Sequence, residues 1–197
     1  SGVTGHLWSV WGRTATDVYI GGEGLVLRTN GDGTYHAEKL AARSDCRLVG
    51  VADVDLQRAQ ALAQDLGCPA FSHYQETFRH ADAAVVSVPT ERHHEVAGAC
   101  LDAGLHVLVE KPIAADLAQS DDLISRPGKK NRVLQVGHVE RYNAAFRALA
   151  ARVQRPLLID AERLSGFKAR GADVDVVLDL MIHDLDLCLA LAGSEVS

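Results

Sequence analysis

The sequence predicts an α/β protein, a doubly wound parallel sheet followed by the start of a second α/β domain, and three observations predict it. From residue 34 onward, segments of helical period alternate with short apolar runs. Those runs, such as Ala83-Ala84-Val85-Val86-Ser87-Val88, are continuously apolar, which suits strands covered by helices on both faces. Several of the helical segments end on a glycine, as at Gly67, Gly104 and Gly193, where a left-handed residue closes the last turn.

Taken in order, a helix is expected from about His36 to Ala42, a strand over Arg47–Ala52, and a helix over Leu56–Leu66. A strand over Ala83–Val88, a helix from about Glu91 to Ala103 and a strand over His106–Glu110 follow. A helix near Leu117–Ser125 then leads to a strand over Arg132–Gly137. This order is Rossmann-like, and the first domain is placed at 34–137. Beyond it, a helix over Asn143–Val153, a strand over Leu157–Leu164 and a long helix over Val176–Ala192 begin a partial C-terminal domain, 138–197, for substrate or oligomerisation. About 60 residues lie near the lower limit for an independent core, so this part is expected to be truncated.

Residues 1–33 stand apart: they hold eight of the 17 glycines and both tryptophans, Trp8 and Trp11, but no lysine. Leu7–Gly12 and Asp17–Ile20 read as short strands between turns, and the stretch resembles one repeat of a propeller-type family. Residues 24–29 are an alternative first strand for the parallel sheet.

Composition narrows the function. A content of 47% hydrophobic residues supports a packed core, and a net charge of −6 argues against a nucleic-acid surface, which needs clustered cations. No apolar run reaches the roughly 20 residues that span a bilayer, so no membrane partner is expected. Cys46, Cys68, Cys100 and Cys188 form no Cys-x-x-Cys pair and read as buried thiols in a reducing compartment, which predicts a cytoplasmic protein.

Three stretches carry a family resemblance: Val86-Ser87-Val88-Pro89-Thr90-Glu91-Arg92-His93, then Ala103–Pro112 with its Glu110-Lys111-Pro112, then Asp179-x-x-x-His183-Asp184-x-Asp186. Together they resemble the Gfo/Idh/MocA oxidoreductases over roughly residues 34–197. Within that family, Gln135–Asn143, Arg163-Leu164-Ser165 and Asp173–Asp184 look most like the UDP-N-acetylglucosamine 3-dehydrogenase branch. The resemblance implies NAD-dependent oxidation of the sugar 3-hydroxyl, the step before amination toward a lipid A precursor. It also implies a catalytic set of Lys111, Asp179 and His183.

The cofactor turn is altered. A family Gly-x-Gly-x-x-Gly would end at Gly33, yet Arg28 and Asn30 occupy its first and second glycine positions, leaving Gly31 and Gly33 as the glycines near the phosphates. Asp32 adds a charge of the wrong sign there. Asp53 lies 20 residues after Gly33, the spacing of a carboxylate that accepts the adenosine ribose hydroxyls, and it favours NAD over NADP. Arg58 is placed to offset that charge over the ribose. Pro89, Thr90, His93 and Glu110 fall at the carboxyl edge of the sheet, where cofactors of such folds bind.

Oxidising a secondary alcohol requires a base of near-neutral pKa and a cation to steady the developing alkoxide. His183 and Lys111 fit those roles, and Asp179, four residues before His183, shares its helical face, where its carboxylate can fix the imidazole tautomer or relay the proton. A solvated polar stripe explains Asp179, His183 and Asp186 equally well without Lys111. No metal is expected, because Asp-x-x-x-His supplies only two ligands. The resemblance leaves the Lys111–Pro112 bond open to the cis form. Arg141, Tyr142 and Arg163 are candidates to hold the substrate's diphosphate or sugar.

Two rival functions stay open: a non-catalytic binding or assembly module whose cofactor site is lost, and a dehydrogenase of free sugars or inositol. An open sheet with an incomplete second domain also predicts a homo-oligomer.

Overall fold

The computed structural model describes residues 22–28, 32–126, 131–154, 156–163 and 176–193. The propeller-like strands expected over 7–20 lie outside the described residues. The chain forms two compact units, 1–137 and 138–197, each taken by itself below.

The first unit is a six-stranded parallel sheet. Its strands are β1 (Gly22–Arg28), β2 (Cys46–Ala52), β3 (Ala70–Phe71), β4 (Ala83–Ser87), β5 (His106–Val109) and β6 (Leu134–Val136). They lie in the order β3-β2-β1-β4-β5-β6. The chain winds outward from β1 to β3, then returns to β4 on the other side of β1, so the order reverses between β1 and β4.

The stretch with the atypical composition therefore supplies the central strand. Leu25, Val26 and Leu27 pair with Gly50, Val51 and Ala52 on one side, and with Ala84, Val85 and Val86 on the other. Gly24 pairs with Leu48 and Leu25 with Gly50, which leaves Val49 as a bulge. The extra residue changes which face the strand presents, so Leu48 and Val51 join one core while Val49 and Ala52 join the other.

The helices of this unit are α1 (Asp32–Ala41), α2 (Leu56–Leu66), α3 (Thr90–Ala103) and α4 (Leu117–Ser125). Helix α1 starts four residues before the expected His36, because Asp32 and Gly33, which read as turn residues, form its first turn. The ends of α2 follow the sequence rules. The Asp55 carboxylate accepts from the amides of Gln57 at 3.0 Å and Arg58 at 3.3 Å, and Gly67 closes the helix at φ 66°.

One face of the sheet packs Ala84, Val86, Val107 and Val109 against Val96, Ala97, Cys100 and Leu101 of α3 and Leu123 of α4. The other packs Val51, Val85 and Leu108 against Ala37 and Leu62 of α1 and α2. Burial pushes the Cys100 thiol up to about 12, so it stays protonated as a small apolar group.

In the second unit, a 3-10 turn at Val139–Tyr142 leads to α5 (Ala144–Ala150). The strand expected over Leu157–Leu164 is not one in residues 156–163, and Leu164 lies outside the described residues. A strand needs a neighbour to bond its backbone, and the apolar side chains that prompted the expectation, Leu157 and Leu158, are exposed. The long helix is interrupted as well. Val177–Met181 form a π-helical stretch before α6 (Ile182–Ala192), which Gly193 closes at φ 62°.

Gly50 is needed for a close approach at the bulged strand, since an added Cβ would lie 2.5 Å from the Phe71 ring and 3.1 Å from the Pro69 carbonyl. Gly50→Ala should cost about 1–3 kcal/mol of stability by overpacking, read as a lower urea midpoint with unchanged slope.

Candidate active site

The carboxyl ends of β1, β2, β4 and β5 hold the candidate residues of the first unit. Asp53 directly follows β2 and is buried; its Oδ1 accepts from the Asp55 amide at 2.9 Å and from Arg58 Nη2 at 3.0 Å. Its Oδ2 is buried and has no hydrogen-bond partner. An unsatisfied buried acceptor costs about 1–3 kcal/mol, and a ribose hydroxyl is the kind of donor that would relieve it. This is the point at which the residues present fit an adenine dinucleotide. Arg58 is committed to the protein, lying on Asp53 and with its Nε 3.4 Å from Asp55 Oδ2.

Among the turn residues, Gly31 and Asn30 lie outside the described residues. Arg28 ends β1, and Gly33 is the second residue of α1, where helix amides have no intrahelical acceptor and are available to an anion. Pro89 and Thr90 open α3 just past the end of β4, at the edge where they are expected. His93 departs from expectation. It is 1% exposed, with Nδ1 2.7 Å from the Pro112 carbonyl and Nε2 2.9 Å from the Val88 carbonyl. Its ring ties the turn after β4 to the turn after β5 from inside the core. It is one turn into α3, on the inward face, and helical spacing rather than the strand edge decides its direction.

The second of those turns holds Lys111, and its bond to Pro112 is cis. Glu110 is drawn inward: His36 Nε2 of α1 lies 2.5 Å from Glu110 Oε1, and the Lys111 amide donates to Oε2 at 3.3 Å. Burial alone would raise the Glu110 pKa, but the His36 contact and the neighbouring Lys111 outweigh it and hold the carboxyl below its ordinary value. His36 was not among the residues singled out from sequence. Its partner is 74 positions away, and no local spacing connects them.

In the second unit, Asp179 lies in the π-helical stretch and His183 in the first turn of α6, both half-buried. The wider π turn brings residues four apart nearer to one line along the helix than an α turn would, so the break in the helix favours the shared face. Such interruptions cluster at functional positions.

The two arginines expected to hold substrate both pair with carboxylates of the protein. Arg141 forks onto Asp186, with Nε and Nη2 each 2.7 Å from a carboxylate oxygen, and Arg163 forks onto Asp184 at 2.7–3.1 Å. Both guanidinium groups already pair with carboxylates of α6, and planar forks match a carboxylate as well as they match a phosphate. Tyr142, at the end of the 3-10 turn, is half-buried. Among the described residues, no group of three or more His, Cys, Asp or Glu side chains is arranged to hold a metal ion.

Comparison with known proteins adds four findings. Residues 20–138 match the family model described as GFO_IDH_MocA, oxidoreductase family, NAD-binding Rossmann fold. The chain is 42% identical over 164 residues to the UDP-N-acetylglucosamine 3-dehydrogenase of Acidithiobacillus ferrooxidans, covering 83% of this chain and 52% of that one. It is 29% identical to the myo-inositol 2-dehydrogenase of Thermotoga maritima, covering 83% of this chain and 53% of the relative. A solved structure of the Acidithiobacillus enzyme superposes with a TM-score of 0.82 at 39% identity, over 88% of this chain and 57% of that one. The chain thus spans about half the length of these relatives.

The Arg163 guanidinium holds the Asp184 carboxyl below its usual 3.8. A carboxyl lowered on folding stabilises the fold above its unfolded pKa, and that contribution is lost as pH falls through the folded value. In Arg163→Ala the Asp184 carboxyl resonance should titrate back up toward 3.8, whereas an unmoved midpoint would show the pair to be unimportant in solution.

Proposed function

Since the chain belongs to the Gfo/Idh/MocA oxidoreductase family, with its NAD-binding Rossmann fold, we propose that the protein oxidises a secondary hydroxyl of a sugar with NAD. The substrate this reading favours is UDP-N-acetylglucosamine, oxidised at its 3-hydroxyl. The observation that carries the cofactor half is the buried, unpartnered Oδ2 of Asp53 at the carboxyl edge of the sheet. The 42% identity to a UDP-N-acetylglucosamine 3-dehydrogenase supports the substrate half.

When bound, NAD supplies the hydride acceptor. Asp53 would take the ribose hydroxyls and repel a 2′-phosphate, which makes NADP the poorer cofactor. Gly33, Pro89 and Thr90 would line its phosphates and nicotinamide side from the start of α1 and the end of β4. Lys111 would steady the developing alkoxide, His183 would take the hydroxyl proton, and Asp179 would hold the imidazole tautomer. Arg141 and Arg163 serve this chemistry indirectly, by anchoring the helix that carries His183. Tyr142 is the remaining candidate for sugar contact.

Three finer elements belong to the same proposal. The 3-keto product would suit amination toward a diamino sugar of lipid A. The four thiols, free in the structure, suit the reducing cytoplasm. Self-association through open sheet edges would complete the assembly.

A free polyol is the second reading, favoured by the match to a myo-inositol 2-dehydrogenase. The non-catalytic module rested on the altered glycine turn, and the state of Asp53 weighs against it.

Screening nucleotide sugars against free sugars and inositol for NADH production should give the fastest turnover with UDP-N-acetylglucosamine; preference for inositol would move the assignment to the second reading. In the active protein, Lys111→Ala and His183→Ala should each lower turnover by about 10² or more, and near-normal rates in both would refute their roles.

A further inference from the structure

The start of α1 is held in an unusual way. In the family pattern, glycines let the backbone fold closely at the end of β1, but here Arg28 and Asn30 stand at two of those positions. A second attachment exists one turn further along. His36 Nε2 is 2.5 Å from Glu110 Oε1, and the two side chains are only 14% and 17% exposed. The other carboxylate oxygen receives the Lys111 amide at 3.3 Å. Gly137, just after β6, closes the third side: a Cβ built there would lie 2.9 Å from Glu110 Oε2 and 3.1 Å from Cδ. Three elements of one unit thus converge on a single carboxylate, and a side chain at the third would push that carboxylate aside.

We propose that His36 and Glu110 are a positioning pair, a joint that fixes the first turn of α1 against the turn carrying Lys111. Glu110, expected to contact the cofactor, is instead engaged by the protein itself. Helix α1 offers its unbonded amides to the dinucleotide phosphates and Lys111 lies on the nicotinamide side, so the joint sets the separation of the two ends of the cofactor cleft. Charge supports the geometry, because a half-buried carboxylate next to an imidazole and an amide is held ionised and so keeps both attachments. This inference rests on the cofactor reading above for its functional half and on local geometry for its structural half.

Two measurements on the 197-residue chain separate those halves. The first is NADH fluorescence titration at a temperature far below each variant's unfolding midpoint. His36→Leu should raise the Kd for NADH about tenfold, the size expected for losing a charge-assisted hydrogen bond. His36→Gln, which keeps a side-chain N–H donor, should recover most of that loss. Glu110→Gln combined with His36→Leu should be no weaker than the worse single change, since both break one joint. Gly137→Ala should weaken binding as well without removing either partner, and it keeps the test valid if His36→Leu fails to fold. Unchanged Kd in His36→Leu and Gly137→Ala, or fully additive losses, would overturn the proposal.

The second measurement is amide hydrogen exchange without cofactor. His36→Leu should speed exchange in α1 about tenfold while leaving α2 unchanged. Equal exchange in wild type and variant overturns the joint itself. Faster exchange in His36→Leu, in a chain whose wild type binds no NADH, would instead sustain the joint and remove the cofactor role.

Discussion

Strand β1 is hydrogen-bonded along both of its sides, to β2 and to β4, and everything in the first unit that resembles a cofactor site hangs from that arrangement. A parallel sheet aligns all its carboxyl ends, and the strand order reverses next to β1, the place where ligands of such sheets bind. Asp53 from β2, Pro89 and Thr90 from β4, and Lys111 from β5 come to one edge because their strands do. Remove the backbone bonds of β1 and the sheet becomes two unrelated halves with no switch point between them.

The polar groups at that edge are held from within the protein. His93 lies under two turns with one ring nitrogen 2.7 Å from the Pro112 carbonyl and the other 2.9 Å from the Val88 carbonyl, so the β4 and β5 ends share one buried ring. Glu110 is drawn against α1 by His36. Arg58 covers one oxygen of Asp53 while the other is left buried and unbonded. In a medium of low dielectric, an unmet acceptor among satisfied ones is costly, and a site that waits for a ligand is a place where that cost is tolerated.

The second unit uses charge differently. Asp184 and Asp186 each take an arginine fork, and these pairs fasten α6 to segments on its amino-terminal side in sequence. The π-helical stretch leading into α6 bears Asp179, one turn from His183. The arginine pairs fix the rotation of the helix, since bidentate contacts resist rotation better than single ones do.

Much of the first unit could be read from pattern alone. Leu56–Leu66 closed by Gly67 matches the structure residue for residue, as does Leu117–Ser125, because glycine stops and helical period are local properties of the chain. The apolar runs marked β2, β4 and β5 for the same reason, and Asp53 and Lys111 could be placed at strand ends by counting. The two-residue β3 was too short to leave a pattern, and Leu157-Leu158 looked like a strand only because apolar residues say nothing about whether a partner exists. What the tertiary structure alone decided was pairing across distance: that a glycine-rich stretch of odd composition is the central strand, that His36 meets Glu110, that His93 faces inward, and that Arg141 and Arg163 belong to aspartates. Local sequence fixes the period and the ends of an element through its own backbone bonds, whereas the partner of a long side chain is chosen by packing that no neighbouring residue records.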